Sequence, residues 1–280
     1  MSDFQVGGHK GKAQLVPIGE FLYKPNTEQE ANFYEQIQHS PLSQFLPKYY
    51  GKENIDLGFG YFTYFKMQNV IYGMKHPCIL DLKMGCRTWF EDSSPEKIQS
   101  KKNYDINTTS TQYGLRFCGM RVFNKDINMF IQHDKYIMLQ MHTYESLKQM
   151  IKVFLSSHGC INQYEKFKFS NSFFTLNDLD NIVNDLHTNP IINHSIIDNM
   201  IDKLLIKLNH LKEIYEKEGY QIISSSLFLF YDYDDPLSTI DFKMIDFAHW
   251  KDKNHKYEIT DGYLIGIQTI ITILNDLKLN

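Results

Sequence analysis

The order of elements predicts an α+β protein of two lobes. Residues 1–70 are dominated by alternating, strand-like runs with one helical stretch, and residues 71–280 mix strands with long amphipathic helices. A chain of 280 residues with 42% hydrophobic side chains has enough apolar material for one large core or two modest ones.

The elements follow from local pattern. AQLVPIGEFLYKP reads as extended segments ending at Lys24-Pro25. TEQEANFYEQIQ is helical, with Thr27 as N-cap and Glu30 at the capping-box spacing. In GYFTYFKMQ, Tyr61, Thr63, Phe65 and Met67 fall on one strand face, and PCILDLKMG (77–85) is the next strand. Residues 91–112 open with turn chemistry at Ser93, Ser94 and Pro95. If helical, they place Lys97, Lys101 and Lys102 roughly along one side. YGLRFCGMRVF and MFIQHDKYIML form a hairpin, and TYESLKQMIKVFLSS is an amphipathic helix. A long helix runs from His194, with Ile197, Met200, Ile201, Leu204, Leu208, Leu211 and Tyr215 in a three-four rhythm and Gly219 as C-cap. QIISSSLFLFYD and TIDFKMIDFAHW are two strands joined by a YDDP turn, and GYLIGIQTIITILNDL is a last apolar helix.

Net charge is −4, so no global field draws the chain to nucleic acid or an anionic membrane, and a polyanion needs a local basic cluster. Cys78, Cys86, Cys118 and Cys160 have no CxxC spacing and are expected as free thiols in a reducing compartment. The start, MSDFQVGGHKGK, has no signal-peptide pattern, and no apolar run is long enough to span a membrane. The histidines lack zinc-site spacing, and Ser224, Ser225 and Ser226 lack the glycines of a hydrolase elbow. A soluble intracellular protein is the expectation.

The chemistry is signalled by charges in apolar strands. Strand alternation turns Ile79, Asp81 and Lys83 one way and Leu80, Leu82 and Met84 into the core. Asp81 and Lys83 then stand about 7 Å apart, at roughly 3.3 Å per residue, a span suited to holding a small group between them. Asp246 repeats the anomaly between Ile245 and Phe247; a buried carboxylate is neutralised or paired, and Mg²⁺ is one partner that keeps it ionised. Lys24, at the end of an early strand, precedes Glu30 in the following helix. A strand Lys, a helix Glu, an Asp-x-Lys and an Ile-Asp-Phe occur in the order that ATP-dependent phosphoryl transfer requires.

PCILDLKMG matches the PxxxDxKxG hallmark of the inositol polyphosphate kinases at Pro77, Asp81, Lys83 and Gly85. SSLFLFYD resembles that family's SSLL-type strand and MIDFAH its IDF motif. The likeness extends to KP…EANFYE, TSTQYGLRFCGMRVF and DGYLIGI. DLKMGCRTWFEDSSPEK with TSTQYGLRFCGM most resembles the inositol hexakisphosphate kinases; the multikinases read more like DVKIG. The resemblance implies a protein-kinase-like, ATP-grasp architecture with an antiparallel sheet in each lobe and ATP and Mg²⁺ between the lobes. It implies that Lys24, supported by Glu30, holds the ATP phosphates, and that Asp246 binds Mg²⁺ with Ser225 on the metal side. Asp81 would orient the acceptor and take its proton, and Lys83 would contact substrate phosphate and the transferring group. Met67-Gln68-Asn69 would be the hinge, its backbone meeting adenine and Asn69 reaching the ribose.

Two positions depart from the family pattern. Gln68 replaces the hinge acid, and after Lys135-Tyr136 the expected Gly and Arg are Met138 and Leu139. Arg87, Lys97, Lys101, Lys102 and Lys135 are the candidates for the anionic substrate, in a binding segment around residues 87–112. The resemblance implies a monomeric cytoplasmic and nuclear kinase that converts inositol hexakisphosphate to a diphosphoinositol product. The alternatives are a multikinase acting on hydroxyls of lower inositol phosphates and an inactive inositol-phosphate-binding scaffold.

Overall fold

Four of the extended runs assemble first: β1 (Val16–Ile18), β2 (Phe21–Pro25), β3 (Tyr49–Asp56) and β4 (Tyr61–Gln68) form an antiparallel sheet in the order β1-β2-β4-β3. The computed structural model describes residues 15–25, 27–56, 60–133, 142–157, 192–255 and 258–278. The expected sites at Cys160 and Lys135, the second half of MFIQHDKYIML and the GGHKGK run lie outside these residues.

Helix α1 (Glu28–Ile37) crosses from β2 to β3 and buries Phe33, Tyr34 and Ile37. Phe33 stacks on Phe247 at 4.2 Å and Tyr34 on Tyr49 at 5.3 Å, so α1 packs against both the first sheet and the chain that follows the second. The capping box does not form: Thr27 makes no side-chain cap, and the Glu30 carboxylate is drawn to a cation described below.

The second sheet is antiparallel in the order β10-β9-β5-β6-β7, built from β5 (Pro77–Met84), β6 (Leu115–Asn124), β7 (Met129–His133), β9 (Ser226–Asp232) and β10 (Asp241–Ile245). The hallmark strand β5 is its centre, and every residue of it except Lys83 is buried. Helices α4 (Tyr144–Ser156), α5 (His194–Glu218) and α7 (Tyr263–Lys278) pack around the core beneath it. α5 buries the predicted apolar row and ends at Gly219 with φ 70°. The polar segment forms α2 (Pro95–Ile106) and the single turn α3 (Ser110–Tyr113), while α6 (Pro236–Thr239) fills the YDDP turn. A 3₁₀ turn, Pro41–Phe45, sets Phe45 on Phe242, so one apolar core runs through both lobes.

The structure departs from simple alternation in two places. Both late strands break where the backbone turns left-handed, at Ser224 (φ 60°) and Asp246 (φ 67°). Beyond the breaks the two chains pair again as a separate ribbon, β8 (Gln221–Ile223) with β11 (His249–Lys251). Asp246 therefore lies outside both strands, in the gap between the two ribbons. In β6, the pairing with β5 passes from Asp81–Gly119 to Leu82–Phe117, leaving Cys118 as the extra residue of a bulge.

Gly85 ends β5 with φ 103°, and a Cβ there would lie 2.7 Å from the Asp261 carbonyl oxygen. Gly114 and Gly266 bring β6 and α7 equally close, a Cβ on Gly114 falling 2.4 Å from the Gly266 nitrogen. Cys78, Cys86 and Cys118 are in no disulfide. Among the described residues no helix is long and apolar enough to cross a membrane.

Candidate functional site

The end of β2, the first turn of α1 and the break after β10 meet at one point. Lys24 Nζ donates to Glu30 Oε1 at 2.8 Å and to Asp246 Oδ1 at 2.5 Å. Glu30 Oε1 also accepts the Phe247 N–H at 3.3 Å, tying α1 to the broken strand. Burial opposes each of these charges, and their mutual attraction overcomes it for two of them. Asp246 is held down to about 2 by Lys24 and then Lys83, against the cost of burial. Lys24 is raised by Asp246 and Glu30, again against burial. For Glu30 burial wins over Lys24 and its carboxyl is raised. Asp246 keeps 42% of its side chain accessible, against 3% for Glu30, so its ionised oxygens are the ones presented to the cleft. Hard carboxylate oxygens are the donors that Mg²⁺ prefers, so Asp246 fits a magnesium ligand.

Asp81 and Lys83 lie side by side on the cleft face of β5, as alternation predicts, with Leu80, Leu82 and Met84 in the core. Lys83 Nζ donates to the Ser224 carbonyl at 2.8 Å, fixing it beside the strand break. Asp81 is 8% exposed, and its Oδ1 has no hydrogen-bond partner among the described residues. Burial, with Asp246 adding, raises its carboxyl above the ordinary range, while Lys83 and the Ser226 hydroxyl pull the other way.

Next to these stands a residue that the sequence reading missed. Strict alternation along LRFCGMRV would put Arg116 with Met120 in the core, but the bulge at Cys118 reverses the faces and sets Arg116 opposite Lys83. Its Nη1 donates to Ser110 Oγ at 2.9 Å and reaches Asp105 Oδ1 at 3.5 Å. Lys101 on α2 completes the group. Its ammonium is lowered by burial and then by Arg116, Lys97 and Lys83, with Asp105 opposing, so three further cations act on it. His249 joins from β11: it stacks on Phe90 at 3.8 Å, and burial and Lys97 lower it. Only the motif IDFAHW, which carries it, hinted at that position.

Other candidates stand elsewhere. Arg87 is a correction: it is 3% exposed and its guanidinium donates to the carbonyls of Ile259, Thr260 and Trp89 and pairs with Glu91. It ties two loops together inside the protein and does not face a substrate. Lys102 lies over the Trp89 ring at 4.5 Å and Lys97 over Phe90 at 5.4 Å, both at the edge of the cluster. Ser225 is also corrected. It is fully buried, and its carbonyl accepts the Met84 N–H, so it belongs to the sheet interior. Ser226, also fully buried, pairs with Lys83 across β5 and β9 and so takes the face that Lys83 and Asp81 share.

In the hinge, the N–H groups of Gln68 and Asn69 are already given to the carbonyls of Lys48 and Glu20. These two amides are therefore engaged within the first sheet, which leaves the backbone carbonyls of the hinge as the groups for the expected contact with adenine. Gln68 Oε1 accepts the Lys48 N–H, which is how an amide serves where an acid was expected. Met67 is buried in the core. Just past the hinge, Val70, Ile71 and Met74 pack with Ile79, Phe228 and Phe230 as a separate apolar cluster on the cleft face. A second group of metal-type side chains, His76, Asp232 and Asp234, lies at the opposite end of β5. There Asp232 accepts three backbone N–H groups, from Lys75, His76 and Asp234, and closes a turn.

A two-lobed α+β fold with a strand Lys, a helix Glu and a carboxylate converging beside a cation cluster defines a protein built to handle phosphate groups. The sequence model of the inositol polyphosphate kinase family matches residues 64–275, and the chain belongs to that family. It is 26% identical over 242 residues to human inositol hexakisphosphate kinase 3, covering 76% of this chain and 50% of that protein. It is 25% identical over 302 residues to inositol polyphosphate multikinase beta of Arabidopsis thaliana, covering 98% of this chain and 92% of the relative. The crystal structure of the S. cerevisiae inositol phosphate multikinase in complex with ADP and Mn²⁺ shares the fold, with a TM-score of 0.68 at 22% identity over 92% of this chain and 99% of that one. The chain spans about half the length of the hexakisphosphate kinases it matches.

Proposed function

We propose that the protein transfers the terminal phosphoryl group of ATP, with Mg²⁺, to an inositol polyphosphate, and that inositol hexakisphosphate is the acceptor. The observation that carries this reading is the convergence of Lys83, Lys97, Lys101 and Arg116 beside Asp81 in a chain of net charge −4. Cations gathered on one side of the cleft, with Arg116 directly opposite Lys83 in the β5–β6 ladder, call for a dense polyanion, and a multiply phosphorylated ring supplies one.

The nucleotide would lie with its base on the apolar cluster of Val70, Ile79 and Phe228, and its phosphates toward Lys24. Asp246 would hold the magnesium, which neutralises charge on the phosphates when bound. Lys83 stands between Ser224 and the cation cluster, placed to follow the phosphoryl group as it passes to the acceptor. A phosphate acceptor has little proton to give near neutral pH, so the unpartnered Asp81 oxygen serves mainly to orient it. For a hydroxyl acceptor the same oxygen, raised by burial, is a base.

A second reading has its own support. The Arabidopsis multikinase matches this chain over nearly its whole length, which the hexakisphosphate kinases do not. Incubation with labelled ATP, Mg²⁺ and a panel of inositol phosphates separates the cases. Label on inositol hexakisphosphate is expected. Label only on lower inositol phosphates with free hydroxyls favours the multikinase, and binding without transfer to any of them overturns the kinase reading in favour of a scaffold.

A further inference from the structure

A surface helix ordinarily holds its place through an apolar stripe. Helix α2, which carries Lys97 and Lys101, has none: of its twelve residues only Asp105 is buried. Asp105 Oδ2 accepts the Thr88 N–H at 2.7 Å and Oδ1 accepts the Thr88 hydroxyl at 2.8 Å. The same Oδ1 lies 3.5 Å from Arg116 Nη1. Asp105 is therefore the one buried anchor of a helix whose other contacts are cation–ring pairs at its edge: Lys97 on Phe90, Lys102 on Trp89 and Arg116 on Tyr104.

Thr88 faces two ways. While its N–H and hydroxyl hold Asp105, its carbonyl accepts the Ser224 hydroxyl at 3.4 Å, and the Ser224 carbonyl accepts Lys83 Nζ at 2.8 Å. The chain of contacts runs from α2 through Thr88 and the strand break to the lysine of the hallmark. Arg116, on the other side, is steered by Asp105 together with Ser110 and lies over the Tyr104 ring of α2 at 4.9 Å.

We propose that Asp105 is a positioning residue for the polyanion: it docks α2 on Thr88, aims Arg116, and so sets where Lys97 and Lys101 stand relative to Lys83. This rests on the reading that the cluster binds an inositol polyphosphate. Asp105 touches neither substrate nor reacting atoms, and its effect is carried by the cations it places.

The sign of one mutation separates positioning from simple electrostatics. Asp105 is a negative charge beside an anion site, so by Coulomb's law alone Asp105→Asn tightens polyanion binding. Positioning requires the opposite. Calorimetric titration of myo-inositol hexakisphosphate into the full chain at fixed ionic strength should show Asp105→Asn weakening binding about tenfold, the scale of a damaged buried hydrogen-bond pair. Affinity for ADP with Mg²⁺, measured in parallel, should stay at the wild-type value, which a general folding defect would not allow. Thr88→Val changes no charge and removes only the hydroxyl that reaches Asp105; it should weaken inositol hexakisphosphate binding about threefold, as loss of one net hydrogen bond does. Equal or tighter binding by Asp105→Asn overturns the proposal, and so does unchanged binding by Thr88→Val should Asp105→Asn fail to fold. Wild-type protein that binds no inositol hexakisphosphate overturns the functional reading as well, whereas wild-type binding with no variant effect overturns this proposal alone.

Discussion

The two sides of the cleft are held together in opposite ways. On the proposed nucleotide side, Lys24 is already paired with Glu30 from the next element and with Asp246 from the far end of the chain. On the proposed acceptor side, Lys83, Lys97, Lys101 and Arg116 are like charges gathered together, with Asp105 the carboxylate that contacts Arg116 and Asp81 beside Lys83. The first arrangement is complete before any ligand arrives; the second is completed by its ligand. The supporting structure differs in the same sense. Rows of aromatic side chains fix α1 between the two sheets, while α2 has Asp105 as its one buried side chain and cation–ring contacts at its edge. A paired site keeps its geometry at low cost, whereas an unneutralised one gives binding energy to a polyanion and discriminates against less charged molecules.

The largest effect that tests this contrast is on turnover. Asp246→Asn removes the carboxylate presented to the cleft and should lower the rate of phosphoryl transfer by about a thousandfold, the scale of losing a preorganised electrostatic group. Circular dichroism should report an unchanged fold, and near-normal turnover would remove Asp246 from the metal site. Next is Lys24→Met. It leaves Glu30, only 3% exposed, without its cation, and should cost about 3 kcal/mol in urea unfolding, as breaking a buried pair does. An unchanged midpoint would mean that the pair is not part of what holds α1.

A smaller effect distinguishes the two aspartates by sign. The Asp246 carboxyl is lower in the folded protein than its ordinary 3.8, so its stabilising contribution is present above that value and is lost as the pH falls through about 2. Asp81 is raised, chiefly by burial, so its ionised form is a cost that is present at neutral pH and relieved as the pH falls through its folded value. Thermal melts at neutral pH should therefore show Asp246→Asn below wild type and Asp81→Asn above it, with the Asp81→Asn advantage shrinking on acidification. Two shifts of the same sign would contradict the assigned environments.

What could be read from the sequence divides along the same line. Asp81, Lys83 and Asp246 stood out because charges in apolar strands are costly, and Lys24 with Glu30 fell at the edges of the elements that bring them together. The long helix from His194 was legible from its apolar rhythm, because burial on one face imposes that rhythm directly. Arg116 was hidden because a one-residue bulge at Cys118 turns it to the opposite face; the one signal in LRFCGMRV, Gly119 inside the strand, marks a bulge without fixing which residue is the extra one. Arg87 misled for a related reason: a cation beside a binding segment looks the same whether it faces ligand or backbone carbonyls. The strand breaks at Ser224 and Asp246 were invisible to alternation, since each depends on a left-handed backbone that the neighbouring ribbon stabilises. Strand β3, with polar residues through most of its length, carried too little apolar pattern to be singled out.

The contrast itself can be measured at Lys101. Its ammonium should titrate below the ordinary 10.5 in the free protein, because burial and then Arg116, Lys97 and Lys83 oppose its charge. NMR of the lysine side chains, with Lys101 assigned by substitution, gives that midpoint with and without inositol hexakisphosphate. A depressed midpoint that rises above the ordinary value in the complex is the predicted result. A midpoint at the ordinary value that does not move on adding the ligand would contradict a cation cluster completed by its substrate.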